Sequence, residues 1–163
     1  MLEEAVIVFN MRGQGATEYL VLLAVVLIIA LVSIALLGFF PGLASDAKIT
    51  QSNSYWQGTA RPFRIIEHAY STVGTLNLIL QNVEATGTYS LTAINVSFTN
   101  ATGYSFTTAM SFAPGETRNI SMAPMPAGTS GSLYELNVNL SYTSPNSISG
   151  KFVGSKPIIG RYS

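Results

Sequence analysis

The sequence predicts an α+β fold, with one long N-terminal hydrophobic helix followed by a C-terminal antiparallel β-sandwich of immunoglobulin-like type. Two observations carry this prediction. Residues 19–40 form a stretch of 22 residues without a charged side chain. After about residue 70, the spacing of the apolar residues changes from the helical period to a period of two, which is typical of half-buried strands.

The composition excludes several classes of protein. Hydrophobic residues make up 48% of the 163 residues, charged residues make up 10%, and the formal net charge is zero. A chain without a basic surplus is not expected to bind nucleic acid. Cysteine is absent and His68 is the single histidine, so disulfides and Cys- or His-based metal sites are excluded. We expect neither a metal nor a cofactor.

Residues 19–40 are expected to form a membrane-inserted helix. A helix of this length spans about 33 Å, which is enough for a hydrocarbon core of about 30 Å. A secretory signal peptide has a shorter apolar core followed by small residues, and residues 38–42 match such a site poorly. The core helix of a soluble protein is disfavoured because such a helix is rarely apolar on every side.

The flanking residues predict the orientation and a bend of this helix. Arg12 carries a positive charge before the apolar stretch, whereas the opposite charges of Asp46 and Lys48 after it cancel each other. The N-terminus is therefore expected in the cytoplasm, and the residues after about 42 are expected outside. Pro41 and Gly42 are expected to kink the helix near 41–42. A weaker helical pattern continues over residues 43–57.

A carboxylate stands directly before the apolar stretch. Insertion of the Glu18 carboxylate into a bilayer would cost a few kcal/mol of free energy, so a carboxylate at this position is expected to have a pairing partner or a functional role. As an interfacial residue in the first helical turn, its carboxylate would instead interact favourably with the helix dipole and stay hydrated. The residue type alone leaves both interpretations open.

Residues 12–19, Arg-Gly-Gln-Gly-Ala-Thr-Glu-Tyr, resemble the processing site of archaeal type IV-like pilins, whose precursors carry a class III signal peptide. The resemblance implies that a prepilin peptidase cleaves between Gly13 and Gln14, which removes residues 1–13 as a leader. Residues 14–57 then form the assembly helix. The resemblance also implies that Glu18, the fifth residue of the mature chain, pairs with the N-terminal amine of a neighbouring subunit. A buried ammonium and a buried carboxylate are less costly together than apart.

The same resemblance implies the location and the partners of the protein. The precursor is expected in the cytoplasmic membrane, and the mature chain in an extracellular homopolymer that adheres to surfaces or cells. The prepilin peptidase, a pilus assembly ATPase and a membrane platform protein are the implied partners. Leaders of this family are short and basic, whereas residues 1–10 contain Glu3 and Glu4, so Met11 is an alternative start of translation.

Residues 58–163 are expected to form the extracellular β-sandwich. The clearest alternating apolar sets are Leu76, Leu78 and Leu80; Ile94, Val96 and Phe98; and Leu136, Val138, Leu140 and Tyr142. Weaker strand patterns cover residues 104–112, 117–123 and 149–155. Six or more short strands at this spacing favour an antiparallel sandwich.

Four Asn-x-Ser/Thr sequons occur in this part of the chain, at Asn95, Asn100, Asn119 and Asn139. Asn95, Asn119 and Asn139 alternate with apolar residues, so their side chains are expected to face solvent. All four are candidates for N-glycosylation.

An enzymatic function is not expected. A Ser-His-Asp arrangement would need both His68 and Asp46, the single histidine and the single aspartate. The spacing of Glu67, Glu84, Glu116 and Glu135 favours no catalytic pair. The alternatives to a pilin are an archaellin, a minor pilin or Tad-like pseudopilin, or a single-pass membrane-anchored surface protein with a β-sandwich ectodomain. The anchored protein would need no cleavage at Gly13.

Overall fold

A computed structural model describes the backbone of residues 2–99 and 103–163, and the side-chain surroundings of residues 15–38, 42–99 and 103–163. The chain divides into two compact units, Met1–Ser45 and Asp46–Ser163. The first unit is helical. The second contains the end of the same helix and every strand of the described residues.

The helix α1 comprises Leu2–Gly58. Its helical assignment continues through Pro41 and Gly42, so the helix is not interrupted there, and the kink expected at these residues stays a prediction. At the C-terminal end, the backbone amides of Thr59 and Ala60 both donate to the carbonyl of Tyr55, at 2.9 and 3.2 Å. These bonds satisfy a carbonyl that the helix leaves without its own partner.

Eight strands follow within the described residues: β1 Phe63–Tyr70, β2 Leu76–Asn82, β3 Tyr89–Phe98, β4 Gly103–Phe112, β5 Thr117–Met122, β6 Leu133–Thr143, β7 Ser149–Val153 and β8 Ile158–Arg161. They form two sheets in which every pairing is antiparallel. Sheet A has the order β1-β2-β5, and sheet B has the order β4-β3-β6-β7, with β8 also paired to β6.

The predicted alternation is confirmed in the three clearest strands. The fully buried members of these sets are Leu76, Leu78, Leu80, Ile94, Val96, Leu136, Val138 and Leu140. Phe98 and Tyr142 are half-buried and pack against this core. The three weaker patterns are confirmed as β4, β5 and β7.

Sequence patterns alone did not predict β1 and β8, and each lacks a regular period of two. In β1 the register shifts between Ile65 and Glu67, so a bulge breaks the alternation. In β8, Ile158, Ile159 and Gly160 are buried in succession. Short strands buried on both faces cannot be recognised by periodicity.

The two sheets share one hydrophobic core. Phe63 of sheet A and Phe112 of sheet B stand edge to face with ring centroids 5.0 Å apart, and both side chains are fully buried. A second aromatic group joins Tyr70 of sheet A to Tyr134 of sheet B, at 5.3 Å. The α+β class, with one long apolar helix followed by two antiparallel sheets, is confirmed.

The outer face of sheet B is polar but almost uncharged. The uncharged polar residues of β3, β4 and β6 that alternate with its buried residues include Asn95, Ser97, Ser105, Thr107, Asn137, Asn139 and Ser141. Two charged residues lie on the same face: Glu135, between buried Tyr134 and Leu136 of β6, and Lys151 of β7, paired with Ser141. This face therefore meets solvent through hydroxyl and amide groups.

One buried polar side chain connects the sheets. Asn82, at the end of β2, is fully buried. Its amide nitrogen donates to the carbonyls of Phe112 and Ala113, at 3.0 and 3.2 Å, and its amide oxygen accepts from the backbone amide of Glu84 at 3.0 Å. The side chain thus satisfies carbonyls at the point where the chain passes from β4 to β5.

Asn82→Leu is expected to lower the free energy of unfolding by about 2 kcal/mol, because it leaves buried carbonyls without a donor. The measurement is urea unfolding of the full chain in detergent, followed by the fluorescence of Trp56, the single tryptophan. Asn77→Leu, on the outer face of the same strand, is the matched control and should change stability by less than about 0.5 kcal/mol. Equal midpoints for the two variants would contradict this role of Asn82.

Candidate functional site: an exposed apolar helix and its anchored end

Residues 15–38 of α1 form an exposed and largely apolar surface. Every side chain in this segment is exposed. The most apolar 18-residue window of the helix has a mean hydropathy of 3.4 and is 0% buried. By length and composition, this is a helix that can cross a membrane.

The exposed apolar residues surround the helix completely. Residues 19–23 and 25–29 are two runs of consecutive large apolar side chains, each of them exposed. Successive residues of a helix are about 100° apart, so five in a row cover its whole circumference. The segment therefore has no polar side to turn toward water, which distinguishes it from an amphipathic surface helix.

Ser33 is the polar residue inside the apolar stretch. Its hydroxyl donates to the carbonyl of Ile29, four residues earlier, at 2.8 Å. The donor is thus satisfied within the helix itself, which removes most of the cost of placing a hydroxyl in apolar surroundings.

Glu18 lies at the N-terminal end of this surface, next to Tyr19, and its side chain is exposed. No salt bridge joins it to any side chain that the structure describes. Gly13 and Gln14, the predicted cleavage site, fall within the bounds of α1, but their side chains lie outside the described residues. Cleavage at this position stays a prediction.

The other end of α1 is anchored to the connection between β7 and β8. Ser52 is 2% exposed; its hydroxyl donates to the carbonyl of Pro157 at 2.7 Å and accepts from the amide of Ile159 at 3.1 Å. The indole nitrogen of Trp56 donates to the carbonyl of Lys156 at 3.0 Å. These side chains fix the last turns of the helix to the backbone of one loop.

Trp56 also packs tightly against sheet B. Its ring stands edge to face with Phe152 of β7, with centroids 5.8 Å apart. A Cβ added at Gly154 would collide with the indole ring, so this position must be glycine for the helix to approach the sheet. Trp56 is 1% exposed as a result.

A histidine links the same part of the helix to both sheets. His68 of β1 forms hydrogen bonds through Nδ1 to the hydroxyl of Tyr134, at 2.7 Å, and through Nε2 to the side-chain oxygen of Asn53, at 3.2 Å. An amide oxygen only accepts, so we assign the proton to Nε2, and Nδ1 accepts from Tyr134. Burial lowers the pKa of His68 and raises that of Tyr134.

An open cleft of about 380 Å³ lies beside His68, lined also by Glu67 and Arg161. Arg161 pairs with Asp46 at 3.3 Å, so the single aspartate is engaged by the arginine. Both nitrogens of His68 are occupied by Tyr134 and Asn53. The searched residues contain no group of three His, Asp or Glu side chains able to hold a metal ion.

The candidate glycosylation sites differ in their surroundings. Asn119 is exposed, whereas Asn95 and Asn139 are half-buried. Asn100 lies outside the described residues.

The apolar stretch is recognisable in the sequence, whereas the anchored end of the helix is not. The spacing of Ile49, Ser52 and Trp56 places them on one helical face, and all three are at least half-buried. This face cannot be recognised as buried from the sequence alone, because Ser52 at its centre is a polar residue. Only the position of Pro157 and Ile159 shows why a hydroxyl fits there.

No family model matches the chain, and no curated protein is similar enough to match it.

The thermal stability of the protein is expected to fall as the pH drops below about 6.5, the ordinary pKa of histidine. Burial makes the pKa of His68 lower in the folded chain than in the unfolded chain. As the pH falls, the unfolded state therefore binds the proton at a higher pH than the folded state does. This stability is complete above that pH and is lost on acidification.

The measurement is the melting temperature of the full chain in detergent between pH 7.5 and pH 5. His68→Gln, which stays neutral, should be less stable at pH 7.5 but should lose this part of the pH dependence. An identical pH dependence in the variant and the original chain would refute the assignment to His68.

Proposed function

We propose that the chain is a pilin, the structural subunit of an extracellular archaeal type IV-like pilus that adheres to surfaces or cells. The observation that carries the proposal is the surface of residues 15–38, which is apolar and exposed on every side. Such a helix needs lipid before assembly and other helices afterwards. Transfer between these two environments keeps it out of water throughout.

The proposal gives Glu18 a task in assembly. Cleavage before Gln14 creates a new ammonium group, and the carboxylate of Glu18 in a neighbouring subunit is its partner. The exposure of Glu18 and its lack of a salt bridge to the described side chains support this role. In apolar surroundings each charge would be costly without the other.

The proposal places the β-sheets outside the cell, as an immunoglobulin-like sandwich on the surface of the filament. Two sheets that share one core support the sandwich arrangement. The anchoring of residues 46–58 through Ser52 and Trp56 supports a role in which the helix carries the outer part of the subunit. The prepilin peptidase, the assembly ATPase and the platform protein are the proposed partners during export.

A second candidate function is a single-pass anchored surface protein. The length and hydropathy of α1 support it equally, because a helix able to cross a membrane can also remain in it. The resemblance of residues 12–19 to a prepilin processing site is what favours the pilin over the anchored protein. The two functions differ in whether the bond between Gly13 and Gln14 is cut.

The deciding measurement is the intact mass and the N-terminal sequence of the protein sheared from the surface of its native cells. We expect a chain that begins at Gln14, because the leader must be removed before the subunit leaves the membrane. A chain that retains Arg12 and Gly13 and is found only in the membrane fraction would favour the anchored protein instead.

Glu18→Ala is expected to be cleaved normally but to lower the yield of sheared filaments at least about tenfold, because an unpaired buried ammonium costs about 3–5 kcal/mol. The measurement is the amount of cleaved subunit in sheared filaments and in membranes. Glu135→Ala, which removes an exposed carboxylate from β6, is the matched control and should assemble normally. Normal filament yield from Glu18→Ala would contradict the pairing.

A further inference from the structure

Three sequons lie among the described residues, and they occupy different positions in the sheets. Asn95 is in β3, which is paired on both sides, by Ser105 of β4 and by Asn139 of β6. Asn139 is likewise paired on both sides, by Asn95 and by Val153 of β7. Both acceptor segments are therefore enclosed in the hydrogen-bonded ladder of sheet B.

Asn95 and Asn139 also face each other directly. Directly opposed residues on neighbouring antiparallel strands have Cβ atoms about 4.5–5.5 Å apart. Both side chains are half-buried. A sugar on either amide would stand over the other one, so modification of one asparagine would obstruct modification of its partner.

The third sequon lies at the edge of sheet A. Within the described residues, β5 pairs with β2 alone, so its second edge is unpaired. Asn119 and Ser121 are both exposed, whereas Ile120 between them is 8% exposed and belongs to the core. The strand period thus presents the amide and the hydroxyl of the sequon on one outer face.

We propose that Asn119 is an N-glycan acceptor and that folding of the chain prevents glycan transfer to Asn95 and Asn139. The donor class is an oligosaccharide linked through phosphate or pyrophosphate to a polyprenyl lipid. In the reaction, Nδ2 of Asn119 bonds to C1 of the first sugar and loses a proton. The bond between C1 and the phosphate oxygen breaks, and the lipid phosphate leaves with the electron pair.

The structural basis of the selectivity is access to the backbone. A transferase must draw the asparagine and the hydroxyl two residues later into its own active site. At Asn119 this requires opening the pairing with β2 on one side only, whereas at Asn95 or Asn139 it requires opening pairs on both sides. This glycosylation proposal takes one point from the proposed function, namely that the β-sheets lie outside the cell.

The test is glycan transfer to the purified full chain in detergent. Each protein carries Asn100→Gln, so that transfer is confined to the described sequons. The transferase is chosen because it modifies three synthetic peptides covering residues 91–101, 115–125 and 135–145. Intact mass and peptide mapping then locate the sugar on the folded chain.

We expect one glycan on the folded chain, located at Asn119. Transfer should fall at least tenfold in Asn119→Gln and in Ser121→Ala, and should be unchanged in the double variant Asn95→Gln, Asn139→Gln. Circular dichroism verifies that each variant is folded. Sugar on Asn95 or Asn139 of the folded chain, or no transfer to Asn119, would overturn the proposal. Because the assay needs neither leader cleavage nor assembly, these outcomes are independent of the pilin proposal.

Discussion

The strongest physical constraint on this protein is the exposed, largely apolar surface of residues 15–38. Fifteen large apolar side chains between Tyr19 and Leu37 are exposed. Burial of one such side chain contributes about 1.5–3 kcal/mol, so the whole set represents tens of kcal/mol, more than the roughly 5–15 kcal/mol net stability of a domain. A helix with this surface is of the kind that can cross a membrane, and an apolar environment matches it better than water does.

The C-terminal end of the same helix has different surroundings, because it packs against a sheet surface instead of being exposed. Ser52 and Trp56 bond to main-chain groups of residues 156–159 rather than to side chains. Contacts of this kind depend on the path of the loop, which the absence of a side chain at Gly154 allows to pass close to Trp56. His68 adds a contact that depends on protonation, because burial disfavours the charged imidazole.

The elements that could be predicted from the sequence are those with a simple local pattern. The long apolar stretch and the alternation in β2, β3 and β6 are of this kind. The strand β1 was missed because its bulge breaks the alternation, and β8 because three successive residues are buried. The role of Glu18 stays a prediction, made from its position beside the apolar stretch. The pairing of Asn95 with Asn139 depends on strand register, which no local pattern contains.

The outer face of sheet B shows how a protein with so few charges can stay hydrated. Its amides and hydroxyls attract water as neutral dipoles, whereas a charged surface does so through fields that salt screens over about 10 Å at 0.1 M. Raising the ionic strength removes nothing from a dipolar surface, and changing the pH titrates none of these groups. The hydration of these amides and hydroxyls is therefore expected to persist at high ionic strength and across pH, whereas Glu135 and Lys151 on the same face respond to both.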